Sequence, residues 1–77
     1  MVRLSGKNGD VRLLKRIGER IRSRRYELSL SQEALADAAA IDRSHMGKIE
    51  RGERNVTILI LAKIANALDC ELASLVA

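Results

Sequence analysis

Apolar residues recur along this chain at intervals of three, four and seven, the repeat of helices that each bury one stripe. Val11, Leu14, Ile17, Ile21 and Leu28 mark the first stripe and predict a helix from about Val11 to Glu27. Arg25 falls on the same stripe, so its charge needs a partner inside the fold. Ser31 precedes Gln32-Glu33-Ala34-Leu35-Ala36 and can cap the free N–H groups of a second helix that runs to about Ala39. Leu35 and the alanines at 36, 38 and 39 make that helix narrow, and small side chains let a neighbour come close.

Ala40-Ile41 forms a tight connection to Asp42, a second N-cap, and to a third helix from Arg43 to about Arg51 that Gly52 ends. Met46 and Ile49 face inward there with Glu50 beside them, which makes Glu50 the expected partner of Arg25. Thr57 caps a fourth helix with Ile58, Leu61, Ile64, Ala65 and Leu68 on its buried side. A short fifth helix, from about Glu71 to Val76, carries Leu72, Leu75 and Val76. The predicted class is all-α, five helices in one compact domain over residues 11–77, preceded by a loose arm over residues 1–10. Helices two and three, about eight or nine residues each and joined by three or four, suit a helix-turn-helix, in which one helix crosses the DNA backbone and the next enters the major groove.

Composition narrows the picture. With 77 residues there is room for one domain with a small core, which association with a second copy would enlarge. Pro, Trp and Phe are absent and Tyr26 is the sole aromatic, so the core is built from Leu, Ile, Val and Ala, a set that favours helices. At the end of the basic first helix, Tyr26 is expected to be partly buried by packing. Leu72, Leu75 and Val76 could close the monomer core or form a dimer seam, and apolar spacing that continues past the needs of a monomer core points to a homodimer seam from the fourth and fifth helices, including Leu68, Leu72 and Leu75.

The net charge of +4 is unevenly spread: residues 1–30 carry nine basic and three acidic side chains, residues 31–77 five and seven. A polyanion would meet the basic end. Cys70 is the only cysteine, so neither an internal disulfide nor a cysteine-based metal cluster can form, and a reduced cytoplasm suits the chain. Met1 to Asp10 has Arg3 and Lys7 but no apolar run behind them, so neither a signal peptide nor a membrane span is expected. One His, one Cys and no clustered carboxylates leave no nucleophile-base pair and no metal site. The chain is therefore read as a non-enzyme without cofactor or small-molecule effector. Two classes of binding remain open on these grounds, to double-stranded DNA or, through the same fold, to protein.

The words of the middle segment resemble a known family. Leu30-Ser31-Gln32-Glu33-Ala34-Leu35-Ala36, then Ile41-Asp42-Arg43-Ser44-His45-Met46-Gly47-Lys48-Ile49-Glu50-Arg51-Gly52, then Arg54-Asn55-Val56-Thr57 and Ile64-Ala65-Asn66-Ala67-Leu68, are similar to the Cro and phage-repressor type of helix-turn-helix protein. The resemblance covers roughly residues 14 to 76. Asp42-Arg43-Ser44 through Ile49-Glu50-Arg51, with Arg54-Asn55 and Thr57, looks most like the controller proteins of restriction-modification systems, stand-alone dimers that regulate their own operon. Phage-type and toxin-antitoxin-type repressors share most of the same words.

That resemblance implies roles for individual residues. Gln32 matches a position that grips a DNA phosphate from a helix N-terminus. Arg43, Ser44, His45 and Lys48 match positions on the recognition helix that face base edges or adjacent phosphates, and Arg43 can form two parallel bonds to guanine O6 and N7. Arg51, Arg54 and Asn55 match the end of that helix and the loop after it, where contacts go to the sugar-phosphate chain. Arg25 and Glu50 match a salt bridge that ties the first helix to the recognition helix. Three positions depart from the pattern. Ala40 stands where the family commonly has Gly in the turn, a cost of about 1 kcal/mol if the backbone there is left-handed. His45 stands where controller proteins often have an aromatic residue, and Gly47 has no side chain where one is possible.

Overall fold

The computed structural model describes residues 8–77, and all five expected helices lie within them. They are α1 (Asn8–Glu27), α2 (Gln32–Ala39), α3 (Arg43–Glu50), α4 (Ile58–Ala67) and α5 (Leu72–Val76). Of the expected arm, residues 1–7 lie outside the described residues, and Asn8–Asp10 form the first turn of α1. Asp10 suits that place, because a carboxylate in a first turn meets the positive end of the helix dipole. Among the described residues no helix is long and apolar enough to cross a membrane.

Each of the three middle helices starts on a side-chain cap. Ser31 Oγ accepts from the Ala34 N–H at 3.0 Å, and Thr57 Oγ1 accepts from the Ile60 N–H at 3.1 Å. Asp42 Oδ2 accepts from the Ser44 N–H at 3.1 Å, from the Ser44 hydroxyl at 2.5 Å and, more distantly, from the His45 N–H at 3.4 Å. These bonds satisfy N–H groups that have no partner within their own helix.

The caps set where the helices begin, and apolar burial sets how they pack. α1 lies against α3 and α5, α2 against α3 and α4, and α4 against α5. Between them Ile17, Ile21, Leu35, Ala36, Ala39, Met46, Ile49, Leu61, Ile64, Ala65, Leu68 and Leu75 form one buried cluster, with Ile41 added from the turn. Leu13, and not the expected Leu14, packs on this cluster from α1, since Leu13, Ile17 and Ile21 form one row at four-residue steps. Val11 lies N-terminal to that row and is 46% exposed, and Leu28, just past the helix, is exposed as well.

Three further expectations are corrected by the packing. Leu68 and Leu75 are fully buried in the chain's own core, so neither offers a surface to a second copy, and Leu72 is half-buried against the same cluster. The helix α5 is needed to close the monomer, which consumes the apolar side that the spacing had left over. Tyr26 is 64% exposed, and its ring lies 4.9 Å from the Arg25 guanidinium carbon. The most exposed apolar side chains lie at the start of α4, where Ile58, expected on the buried side, is 65% and Leu59 73% exposed.

Ala40 takes φ 56° and ψ 45°, the left-handed conformation, and its N–H donates back to Asp37 O at 3.1 Å while the Ile41 N–H donates to Ala36 O at 2.9 Å. These two bonds close the C-terminus of α2 as a glycine normally does. A closer constraint sits in α1. A Cβ added to Gly18 would lie 2.8 Å from the Glu50 carbonyl carbon and 2.9 Å from Ile49 O, so the absence of a side chain is what lets α1 rest on the end of α3.

Candidate nucleic-acid interface

The helix that must present chemistry is α3, and its position is set from behind by Arg25 and Glu50. Arg25 Nε and Nη2 donate to the two Glu50 oxygens, each at 2.9 Å, a two-pronged match of a flat guanidinium to a carboxylate. Arg25 Nη1 donates to Leu30 O at 3.1 Å, and Gln32 Nε2 donates to Glu50 Oε1 at 3.3 Å. Both charged groups are buried, and no buried side-chain N or O among the described residues lacks a partner. Hydrogen bonding to Glu50 holds the Arg25 guanidinium charged more firmly than usual, against burial, which acts the other way. From α1, Arg22 Nη1 also donates to Glu50 O at 3.3 Å, so one residue at the end of α3 is gripped by its side chain and its backbone.

The opposite side of α3 is open. Arg43 and Ser44 are exposed, His45 and Lys48 half-buried, while Met46, Gly47 and Ile49 face the interior. The four residues expected to meet bases thus share one helix and its outward side. Ser44 spends its hydroxyl on Asp42, whose carboxyl is held below the usual carboxylate range chiefly by that bond and then by the His45 N–H. Arg51, Arg54 and Asn55 are exposed on the segment that follows α3, beside the C-terminal end of the helix.

Gly47 explains how Gln32 and Arg51 come to flank one helix. A Cβ there would meet Arg51 Nη1 at 3.2 Å and Gln32 Oε1 at 3.4 Å, so the bare backbone is the floor on which the two side chains lie. Gln32 keeps one of its two amide N–H groups free of Glu50. A carboxylate missed in the sequence stands near each end of the same surface. Glu33 Oε2 lies 3.7 Å from Arg43 Nη1, and Glu53 Oε1 lies 3.2 Å from Arg51 Nε. Ten residues separate Glu33 from Arg43, a spacing with no meaning on a single helix, so only the packing of α2 on α3 brings them together.

A helix-turn-helix family model matches residues 21–75, which takes in α2, α3 and α4 whole, all but the last residue of α5 and the last turns of α1. The chain belongs to the helix-turn-helix family. Within this family the resemblance to controller proteins also holds. Control protein C.SmaI of Serratia marcescens is 41% identical over 59 residues, 77% of this chain and 70% of that protein. Control protein C.MunI of Mycoplasma sp is 38% identical over 61 residues, 78% of this chain and 82% of that protein. The crystal structure of the restriction-modification controller protein C.AhdI from Aeromonas hydrophila superposes with a TM-score of 0.79 at 45% identity, covering 80% of this chain and 94% of that one. In helix-turn-helix terms α2 and α3 are the paired helices, α3 the recognition helix, and the all-α, five-helix architecture is the family's.

Proposed function

We propose that this protein is a transcriptional regulator that binds double-stranded DNA as a homodimer on a palindromic operator, and that it controls a restriction-modification operon. The observation that carries the reading is α3 itself, capped by Asp42, gripped from behind by Arg25, and turning Arg43, Ser44, His45 and Lys48 outward together. A helix so held can enter a major groove without losing order, and its first residues would meet base edges. Arg43 reads a guanine through two parallel N–H groups. Gln32, Arg51, Arg54 and Asn55 hold the sugar-phosphate chain on either side and set the register. The names of the control proteins that this chain resembles support the choice of operon.

The seam between two copies is assigned to α4 and not to the buried leucines. Leu59, Ile60, Ala62, Lys63 and Asn66 line a shallow groove beside Ile58, and covering this exposed apolar surface is the gain that association offers. With the two copies related by a two-fold axis, their recognition helices address half-sites about one helical turn apart. The protein works in the cytoplasm, where its DNA is.

A duplex selected from a random pool by the protein, titrated beside a scrambled duplex at rising salt, tests the reading. The selected duplex is expected to bind at least about a thousandfold more tightly, with affinity for both falling steeply as salt rises. Sedimentation at micromolar concentration is expected to give twice the chain mass, and Leu59→Glu the single-chain mass. Salt-insensitive or absent DNA binding would instead favour a protein-interaction module.

A further inference from the structure

We propose that Glu33 positions Arg43 for base reading, which makes it a determinant of sequence specificity although it touches no base itself. The inference rests on the DNA-binding function proposed above. Arg43 and Glu33 are the outward-pointing members of the two helices that define the fold's paired unit, and their side chains are about two-thirds exposed, 68% and 67%. An arginine so exposed normally samples many rotamers, and ordering it on a base costs conformational entropy. Here the guanidinium leans on a carboxylate fixed in the first turn of α2, where the helix dipole favours a negative charge.

The choice of atom matters. Glu33 meets Arg43 through Nη1, at 3.7 Å, which leaves the edge formed by Nε and Nη2 unused. That edge carries two parallel N–H groups, the pair that guanine O6 and N7 require. One guanidinium can therefore stay against Glu33 and read a base at the same time, as its five donors allow. The contact spans two helices locked together by Leu35, Met46 and Ile49 and by the Gln32–Glu50 bond, so the spacing of the two backbones that bear it does not depend on the DNA.

A second effect of Glu33 has the opposite sign, and this makes the inference testable. Its negative charge stands on the face that meets phosphates, and simple repulsion weakens binding to every sequence alike. Removing the charge without removing the positioning would strengthen specific and non-specific binding together. Removing the positioning weakens only the specific complex.

The experiment compares Glu33→Gln with the wild type on a duplex selected by the wild type and on a scrambled duplex, at low ionic strength where an exposed pair is not screened. Asp37→Asn, which removes an exposed charge one turn further along α2, is the control for repulsion. Glu33→Gln is expected to lower specific affinity about three- to tenfold per half-site while leaving non-specific affinity equal or up to about twofold higher. It should also relax the preference at the base pair that Arg43 reads, whereas Asp37→Asn should raise both affinities and keep the preference. In an Arg43→Ala background, Glu33→Gln should no longer lower specific affinity. If Glu33→Gln raises both affinities in parallel, as Asp37→Asn does, or lowers specific affinity equally without Arg43, the positioning role is overturned. A wild type that shows no site preference would overturn the functional reading itself, a separate outcome.

Discussion

Arg25 and Glu50 are joined by two hydrogen bonds of 2.9 Å across 25 residues of sequence, and both are buried. The pair holds the end of α1 against the end of α3, and each member is costly to leave alone because the other would keep a charge out of water. Glu50→Gln is expected to destabilise the fold by about 3 kcal/mol or more. For a domain of this size each kcal/mol lowers Tm by about 4–8 °C, so calorimetry should show a fall above about 10 °C. An unchanged Tm would mean that the pair does not form.

Two glycines that both sit inside helices should respond in opposite ways. Ala normally stabilises an interior helical position by about 1 kcal/mol over Gly. Gly18→Ala would drive a methyl group into the backbone of Ile49 and Glu50, which cannot swing aside, and a net loss of about 1–3 kcal/mol is expected. Gly47→Ala meets only the ends of the Arg51 and Gln32 side chains, which can move, so its stability should hold or rise. Urea titrations of both variants check the difference.

Ala40 is the mirror case, an alanine where the backbone is left-handed. Relief of that strain outweighs the extra freedom glycine has in the unfolded chain, and Ala40→Gly is expected to stabilise by up to about 1 kcal/mol, a rise of several degrees in Tm.

The cap of the recognition helix should titrate. Because the Asp42 carboxyl is held below its ordinary value of 3.8 in the folded protein, chiefly by the Ser44 hydroxyl, its contribution is fully present above that value. It is lost as pH falls below 3.8 through the lower folded value. Asp42→Asn keeps an acceptor for the helix N–H groups but cannot titrate. Thermal melts between pH 2 and 6 should therefore show a shallower acid limb for the variant, and identical limbs would remove Asp42 from the account of acid sensitivity.

Base reading and phosphate holding separate by substitution. Arg43→Ala is expected to cost about 1–3 kcal/mol on the selected duplex and to relax one base pair per half-site. Arg54→Ala should weaken selected and scrambled duplexes by similar factors and reduce the salt slope by about one unit per half-site. Gel-shift titration distinguishes the two, and equal losses for Arg43→Ala would reassign that residue to phosphate.

The sequence alone determined the number of helices, the starts of α2, α3 and α4 and the exposed group on α3, whereas α1 begins at Asn8, three residues before the expected Val11. Those features depend on short-range rules: a Ser, Asp or Thr at a helix start, apolar residues at three- and four-residue steps, and a family's words in order. The Arg25–Glu50 pair was legible too, because a charge on each of two buried stripes has few other partners. Tertiary structure decided the rest of what lies between helices. Leu68 and Leu75 are as apolar as a dimer seam requires, yet α5 folds back over α1 and α4 and buries them within one chain. Leu59, by contrast, is left in solvent at the start of α4. The close approach that empties Gly18 of any side chain, and the meeting of Glu33 with Arg43, depend on interhelical distances of a few ångström. Periodicity tells which side of a helix is apolar, but only packing tells what covers it.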